Sequence, residues 1–150
     1  MKNKKEVTER SFNPSQLSGF DGMYSIQLPI DFIHDLSKAD SLQAALDIIA
    51  YWISHVFNAD RASITLQDTD EYLKLYSISG NHAIPMDFKI PIGQTFVGRV
   101  FAQSQLIICD DLAQSDELDC QMLAEHGMGS CMDAPMIHNG VCIGTLNVAD

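Results

Sequence analysis

SCMDAPMIHNGVCIGTLNVAD, residues 130–150, is the stretch whose reading decides the fold. Two apolar runs, SCMDAPMIH and VCIGTLNVAD, flank His138-Asn139-Gly140, and Asn-Gly between two such runs is the strongest short-range signal for a β-hairpin. Alternation along the second run sends Cys142, Leu146 and Val148 to one face and Val141, Ile143, Thr145 and Asn147 to the other. The alternation alone leaves open which of these faces packs against helices.

Working outward, the period of two recurs upstream. RASITLQ alternates, DTDE turns, and EYLKLYSIS alternates again up to Gly80, which predicts a second hairpin with one solvated face. Asp87 to Ile92 (DFKIPI) reads as a short third strand, which Pro91 places at an edge. Between the hairpins, GQTFVGRVFAQS predicts a short helix opened by Gly93, with Phe96, Val97, Val100 and Phe101 turned inward. LIICDD predicts a buried strand. SDELDCQMLAEHG predicts a helix capped by Ser115 or Asp116 and stopped by Gly127.

Before the first hairpin the period is helical. In SLQAALDIIAYWISHVFN, Leu42, Ala45, Leu46, Ile49, Trp52, Ile53 and Val56 recur at three- and four-residue steps. Gln43, Asp47, Ser54 and His55 take the wetter side, and Asp40 or Ser41 is placed to cap. PIDFIHDLSKA predicts a shorter helix with Ile30, Ile33 and Leu36 on one side. Residues 1–22 show no sustained period and read as a mobile leader, residues 23–40 as a helical lead-in, and 41–150 as the domain proper. Hairpins at both ends of the domain, with helices between and before them, imply an α+β fold with an antiparallel sheet.

Composition narrows the function. The chain has 150 residues, 46% hydrophobic and 19% charged, enough for a single domain with its own core. A net charge of −11, with Lys2, Lys4, Lys5 and Arg10 confined to the leader, argues against a nucleic-acid surface. No apolar run reaches the ~18–20 residues of a membrane span, and no hydrophobic segment follows the first lysines as in a signal peptide. The expected compartment is the cytoplasm, where the four cysteines stay reduced. Cys109, Cys120, Cys131 and Cys142 are each eleven residues apart, but their contexts share nothing else, and the spacing reads as coincidence.

The window LDCQMLAEHGMGSCMDAP, residues 118–135, concentrates sulfur and a histidine. Zinc sites generally pair their ligands on one turn, whereas Cys120, His126 and Cys131 are spread over a helix, its end and a strand. The preferred reading is core: Cys120, Met122 and Leu123 face inward, and His126 meets the helix C-terminus. No metal is expected.

Three pieces of the chain resemble the GAF-domain family, the small-molecule sensing module of signalling proteins, and they come in family order. They are SLQAALDIIAYWISHVFNADRASITLQD, IPIGQTFVGRVFAQSQLIICDDL and MGSCMDAPMIHNGVCIGTLNVAD. The last is similar to the family signature Ser-x-x-x-x-Pro, a turn, and a Gly-x-Leu-Asn-Val strand. The resemblance implies an antiparallel sheet with the terminal helices on one face, and short helices and loops over a ligand pocket on the other. Members run on into a long C-terminal helix. Here the sequence stops at Asp150, which reads as a sensor module truncated from a longer protein.

Within that family, the known chemistries fit this sequence unevenly. Bilin-binding members place His directly after the attaching Cys; here Gln121 follows Cys120, so neither bilin nor haem is expected. Free methionine-(R)-sulfoxide reductases carry cysteines where this chain has Val97 and Ala124, and no cysteine here sits in a helix's first turn, where its pKa would fall. Catalysis is therefore not expected, and no catalytic residue is assigned. Cyclic-nucleotide binders share Asp116-Glu117 but not the accompanying Phe, where Leu112 stands. The resemblance implies Asp110, Asp111, Cys120, Met122, Cys131 and Asp133 as neighbours of a small ligand, with Thr145 and Asn147 orienting it if their face is the ligand side. The plainer alternative has Asn147 and Asp110 satisfying backbone groups at loop ends.

The resulting expectation is a non-catalytic sensory domain that binds a small ligand, forms a homodimer through its end helices, and controls an effector outside this chain. A histidine kinase, a nucleotide cyclase and a diguanylate cyclase are all compatible effectors. Ligand binding would reorder the segment from Gln114 to Glu125. A redox enzyme and a purely structural dimerisation module remain the alternatives.

Overall fold

The Asn139-Gly140 turn sets the geometry at the heart of the sheet. Both residues adopt positive φ, 50° and 78°, which folds β6 (Cys131–His138) directly back on β7 (Val141–Ala149). The computed structural model describes residues 9–13 and 27–150. Before that hairpin come β1 (Glu9–Phe12), α1 (Ile30–Ser37), α2 (Leu42–Val56), β2 (Arg61–Gln67), β3 (Tyr72–Gly80), β4 (Lys89–Pro91), α3 (Phe96–Gln103), β5 (Leu106–Cys109) and α4 (Leu118–Glu125). The strands form one seven-stranded antiparallel sheet in the order β1-β5-β6-β7-β2-β3-β4. The fold is α+β, with β4 and its Pro91 at an edge. No helix among the described residues is long and apolar enough to cross a membrane.

Helix α2 covers one face of the sheet. Ser41 caps it, its hydroxyl accepting from the Ala44 N–H at 3.0 Å, and Leu46 and Ala50 pack on Ile64, with Leu66, Tyr76, Met136 and Leu146 around them. The opposite face carries α3, α4 and a larger core that includes Leu73, Leu75, Phe96, Val100, Ile107, Leu112 and Cys120. A bulge at Tyr76 separates the two halves of β3, because Ile64 pairs with Ser77 while Thr65 pairs with Leu75. The extra residue changes the alternation: Leu73 and Leu75 enter the larger core, whereas Ser77 turns to α2 and donates to Asp47 Oδ1 at 2.7 Å.

Five expectations change. Residues 9–12 of the leader are a strand on the edge of β5, with an Arg10–Asp110 ion pair of 2.9 Å; residues 1–8 and 14–26 lie outside the described residues. On α1 the buried residue is Phe32, while Ile30 and Ile33 are exposed. The cause is that α1 packs on α2 and not on the sheet: Phe32 lies against Trp52, whose indole N–H donates to Asp35 at 2.9 Å. On α2 the buried stripe is Leu46, Ala50 and Ser54, and Leu42 is exposed. Ser54 tolerates burial because its hydroxyl reaches both Tyr51 O and Ser79 Oγ. Strand β2 has no solvated face over Arg61–Thr65, since layers cover both sides. Finally, Ser115 and Asp116 do not cap α4: Glu117 is its N-cap residue, with Ser115 Oγ accepting the Glu117 N–H at 3.2 Å.

Candidate functional site

Alternation on β2 decides what faces the α3–α4 side. Ala62, Ile64 and Leu66 go to α2, which leaves Arg61, Ser63 and Thr65 for the other face. Register then aligns three rows across β6, β7 and β2. Cys131, Ala149 and Arg61 form one row, Asp133, Asn147 and Ser63 the next, and Pro135, Thr145 and Thr65 the third. The first two rows, with Thr65 from the third, are the floor of a cavity of about 30 Å³, whose wall and roof come from residues such as Leu75, Ile84, Ile90, Val97 and Leu123. That is room for about two waters, so the site as it stands takes a ligand of a few heavy atoms. Anything larger requires the roof to move.

The floor holds two charges of opposite sign that do not touch. Arg61 is only 3% exposed; it donates from Nη1 to the Asn81 carbonyl at 2.7 Å, and the rest of its planar fork has no partner among the described residues. Asp133 is 5% exposed and accepts no hydrogen bond among the described residues. No ion pair joins them. Burial pulls the Arg61 guanidinium down to about 10, with Asp133 opposing the shift. Burial, reinforced by nearby Asp119, pushes the Asp133 carboxyl well above the ordinary range, against the pull of Arg61. Between them, Asn147 donates to Ser63 Oγ at 3.2 Å, while its Oδ1 is buried with no partner. In a folded protein such an orphan acceptor calls for an explanation.

Asp119, at the cavity edge, is a different case. Its carboxylate accepts the Phe96 and Val97 N–H groups at 2.8 and 3.0 Å, the first free donors of α3, and so ties α4 to the N-terminus of α3. Burial nonetheless outweighs these donors and raises its pKa. Thr95 completes the cap, accepting from the Gly98 N–H at 3.0 Å and donating to the Pro91 carbonyl at 2.7 Å. Gly98 is required here, because a Cβ would overlap the Ile92 backbone.

The structure brings some of the sequence candidates together and disperses others. Cys131, Asp133 and Asn147 line the cavity. Thr145 lies beneath the lining, fully buried, with its hydroxyl 2.6 Å from that of Thr65. Contrary to expectation, α4 begins at Leu118 and so holds Cys120 in its first turn, but Cys120 is fully buried in the larger core and Met122 packs against that core; neither lines the cavity. Asp110 and Asp111 are exposed and away from it, because the chain leaves the sheet after Cys109. Asp110 instead pairs with Arg10. Sequence reasoning missed Arg61, Ser63, Thr65 and Asp119. The polar half of RASITLQ was a visible signal for the first three, but it read as a solvated face.

The eleven-residue cysteine spacing, read as coincidence, does bring three thiols together. Cys109 and Cys131 are direct cross-strand partners, and Cys120 lies close enough to act on Cys131. The neighbouring Cys120 thiol and burial hold Cys131 well above its ordinary pKa, and burial pushes Cys109 up to about 11. Burial also raises Cys142, which lies apart and donates to the Gly144 carbonyl. His126 is exposed, with Nδ1 2.9 Å from the Met122 carbonyl at the end of α4. Among the described residues, no group of three or more His, Cys, Asp or Glu is placed to hold a metal ion.

Comparison with known proteins places this geometry. Residues 41–150 match the family model of the GAF domain. Among curated proteins, none matches the sequence. Solved structures with the same fold include the GAF domain of a phosphoenolpyruvate-protein phosphotransferase from Coxiella burnetii, 18% identical, with a TM-score of 0.70 over 81% of this chain and 74% of that one. Free methionine-R-sulfoxide reductase from Neisseria meningitidis, solved in complex with its substrate, is 20% identical, with a TM-score of 0.67 over 85% and 81%. NreA from Staphylococcus aureus, solved with its nitrate-binding site mutated, is 16% identical, with a TM-score of 0.57 over 72% and 81%. At these identities the likeness is one of fold.

Proposed function

The chain belongs to the GAF-domain family, and from that premise we propose that it is a non-catalytic sensory or regulatory domain. It takes a small polar ligand into the cavity over β2, β6 and β7 and reports occupancy to an attached effector such as a histidine kinase or a cyclase. The observation that carries this reading is the pair of buried, mutually unpaired charges, Arg61 and Asp133, on the floor of that cavity. Leaving two opposite charges buried and not paired with each other is costly. A ligand that pairs with them recovers that energy as affinity.

Against a redox enzyme stand the thiols themselves. A nucleophilic cysteine needs a lowered pKa, and Cys109, Cys131 and Cys142 are all shifted upward. The roof supplies a route for the signal. Because Asp119 couples α4 to α3, a ligand under Leu123 and Val97 displaces the Gln114–Glu125 segment and α3 together. Exposed Ile30, Ile33, Leu42 and Tyr51 on α1 and α2 give the end helices an apolar surface for a homodimer.

The test is a thermal-shift screen of the full chain against small metabolites, with each hit checked by calorimetry. The expected result is saturable binding of a small polar compound that is lost in Arg61→Gln. Incubation with free methionine-R-sulfoxide and a thiol reductant is expected to yield no methionine. Turnover there, or no ligand of any class, would contradict the reading.

A further inference from the structure

The floor of the cavity says more than that a polar ligand enters; it specifies the order of the ligand's charges. Arg61 stands on β2 and Asp133 on β6, with β7 between them and one row of offset along the strands, so their Cα atoms are about 12 Å apart at the usual strand spacing and rise. Ala149 and Asn147 occupy the intervening strand in their two rows, and the small Ala149 leaves the space over β7 clear of a long side chain. At one end is a guanidinium with free donors, the group best shaped to grip a carboxylate. At the other end are two acceptors without donors, the Asp133 carboxyl and Asn147 Oδ1. An ammonium brings three donors and no acceptor, which matches that deficit.

Resting on the sensory reading above, we infer that the ligand is a small zwitterionic α-amino acid, its carboxylate on Arg61 and its ammonium on Asp133 and Asn147. In such a molecule the ammonium nitrogen and the carboxylate carbon are about 2.5 Å apart. Charge-assisted hydrogen bonds of about 2.8 Å at either end extend that reach toward side chains rooted about two strand spacings apart. An isolated anion leaves Asp133 uncompensated, and an isolated cation leaves Arg61 so; the zwitterion neutralises both while adding no net charge to the buried site. The roof over the ligand is apolar, from Val97, Leu123 and Ile84, and the cavity is about 30 Å³. Even glycine exceeds the room for about two waters and enters only as the roof moves, so the side chain that asks least of the roof is hydrogen or methyl, as in glycine or alanine.

Calorimetric titration of the full chain with glycine and alanine decides this, with acetate and methylammonium as probes carrying one charge each. The expected result is saturable binding of glycine or alanine, with each half-probe at least about tenfold weaker. Arg61→Gln and Asp133→Asn are each expected to weaken the amino acid by about tenfold or more. Since buried substitutions can unfold a chain, the wild type carries an independent readout: glycine moves the Arg61 side-chain Nε–H resonance, and methylammonium does not. Acetate or methylammonium binding as tightly as glycine overturns the inference, as does an Arg61 resonance unmoved by saturating glycine. If neither amino acid binds but the metabolite screen yields a ligand of another class, the zwitterion falls and the sensory reading stands. If nothing binds at all, both fall.

Discussion

Strand β2 separates two faces built on different terms. Toward α2 it presents Ala62, Ile64 and Leu66, the last two of which meet Leu46 and Ala50 in an apolar contact. Toward α3 and α4 it presents Arg61, Ser63 and Thr65, which share the floor of a cavity with a buried, unpartnered carboxyl and an orphan amide oxygen. Over Arg61–Thr65 both faces are buried. The α2 face gains stability from its burial through apolar contact, while the opposite face gives some of it up. A buried polar floor that destabilises the empty domain is what a binding site looks like before its ligand arrives.

Substitutions on the two faces therefore shift stability by different amounts and in different directions. Ile64→Ala, at 1% exposure in the α2 core, is expected to lower unfolding free energy by about 3 kcal/mol through lost contact and a residual cavity, read by urea denaturation. Asp119→Ala sharpens the contrast, because it removes the polar residue near the cavity that does have a structural task. It leaves the Phe96 and Val97 N–H groups without acceptors and is expected to lower stability by about 2 kcal/mol. Hydrogen exchange should locate the loss at the start of α3.

In the folded chain Asp133 and Asp119 hold their protons to higher pH than in the unfolded chain, where Asp titrates near about 3.9. The folded state then binds more protons through that window. Their contribution is present in full below about pH 4 and is lost as pH rises through the folded values. Urea midpoints across a pH series should fall with rising pH, and the fall should shrink in Asp133→Asn. The smallest effect is expected at Arg99. Its guanidinium joins Glu9 and Glu117, each at 2.7 Å, on a partly exposed surface. Arg99→Gln should lower global stability by at most about 1 kcal/mol, while the amides of β1 lose protection.

Much of the fold was legible because local chemistry and tertiary structure agree. Asn139-Gly140, Ser41 and Gly127 each act as their residue type dictates, and the alternation of RASITLQ survives intact in β2. What escaped was set by distant parts of the chain. Nothing local tells Glu9–Phe12 to pair with β5, or the isoleucines of α1 to stay exposed while Phe32 finds Trp52. The site was legible by half for the same reason. Thr145 and Asn147 could be put on one face, but periodicity distinguishes the faces of a strand without saying which is dry. The polar set on β2 therefore passed for solvated surface. Asp110 and Asp111 failed as neighbours of the cavity because the chain turns off the sheet one residue before them. The sulfur-rich window divided: Cys131 and Asp133 reached the cavity, and Cys120 and Met122 went to core.

The proposed binding role holds that the floor around Asp133 is kept at the expense of the empty domain's stability. Urea denaturation of the wild type and Asp133→Asn, side by side at neutral pH without added ligand, tests it most directly. The substitution preserves shape and removes a buried charge that Arg61 offsets only in part, so the variant should unfold at a higher midpoint, by about 1 kcal/mol in free energy. A lower midpoint would contradict the account, making Asp133 a partner the empty fold depends on.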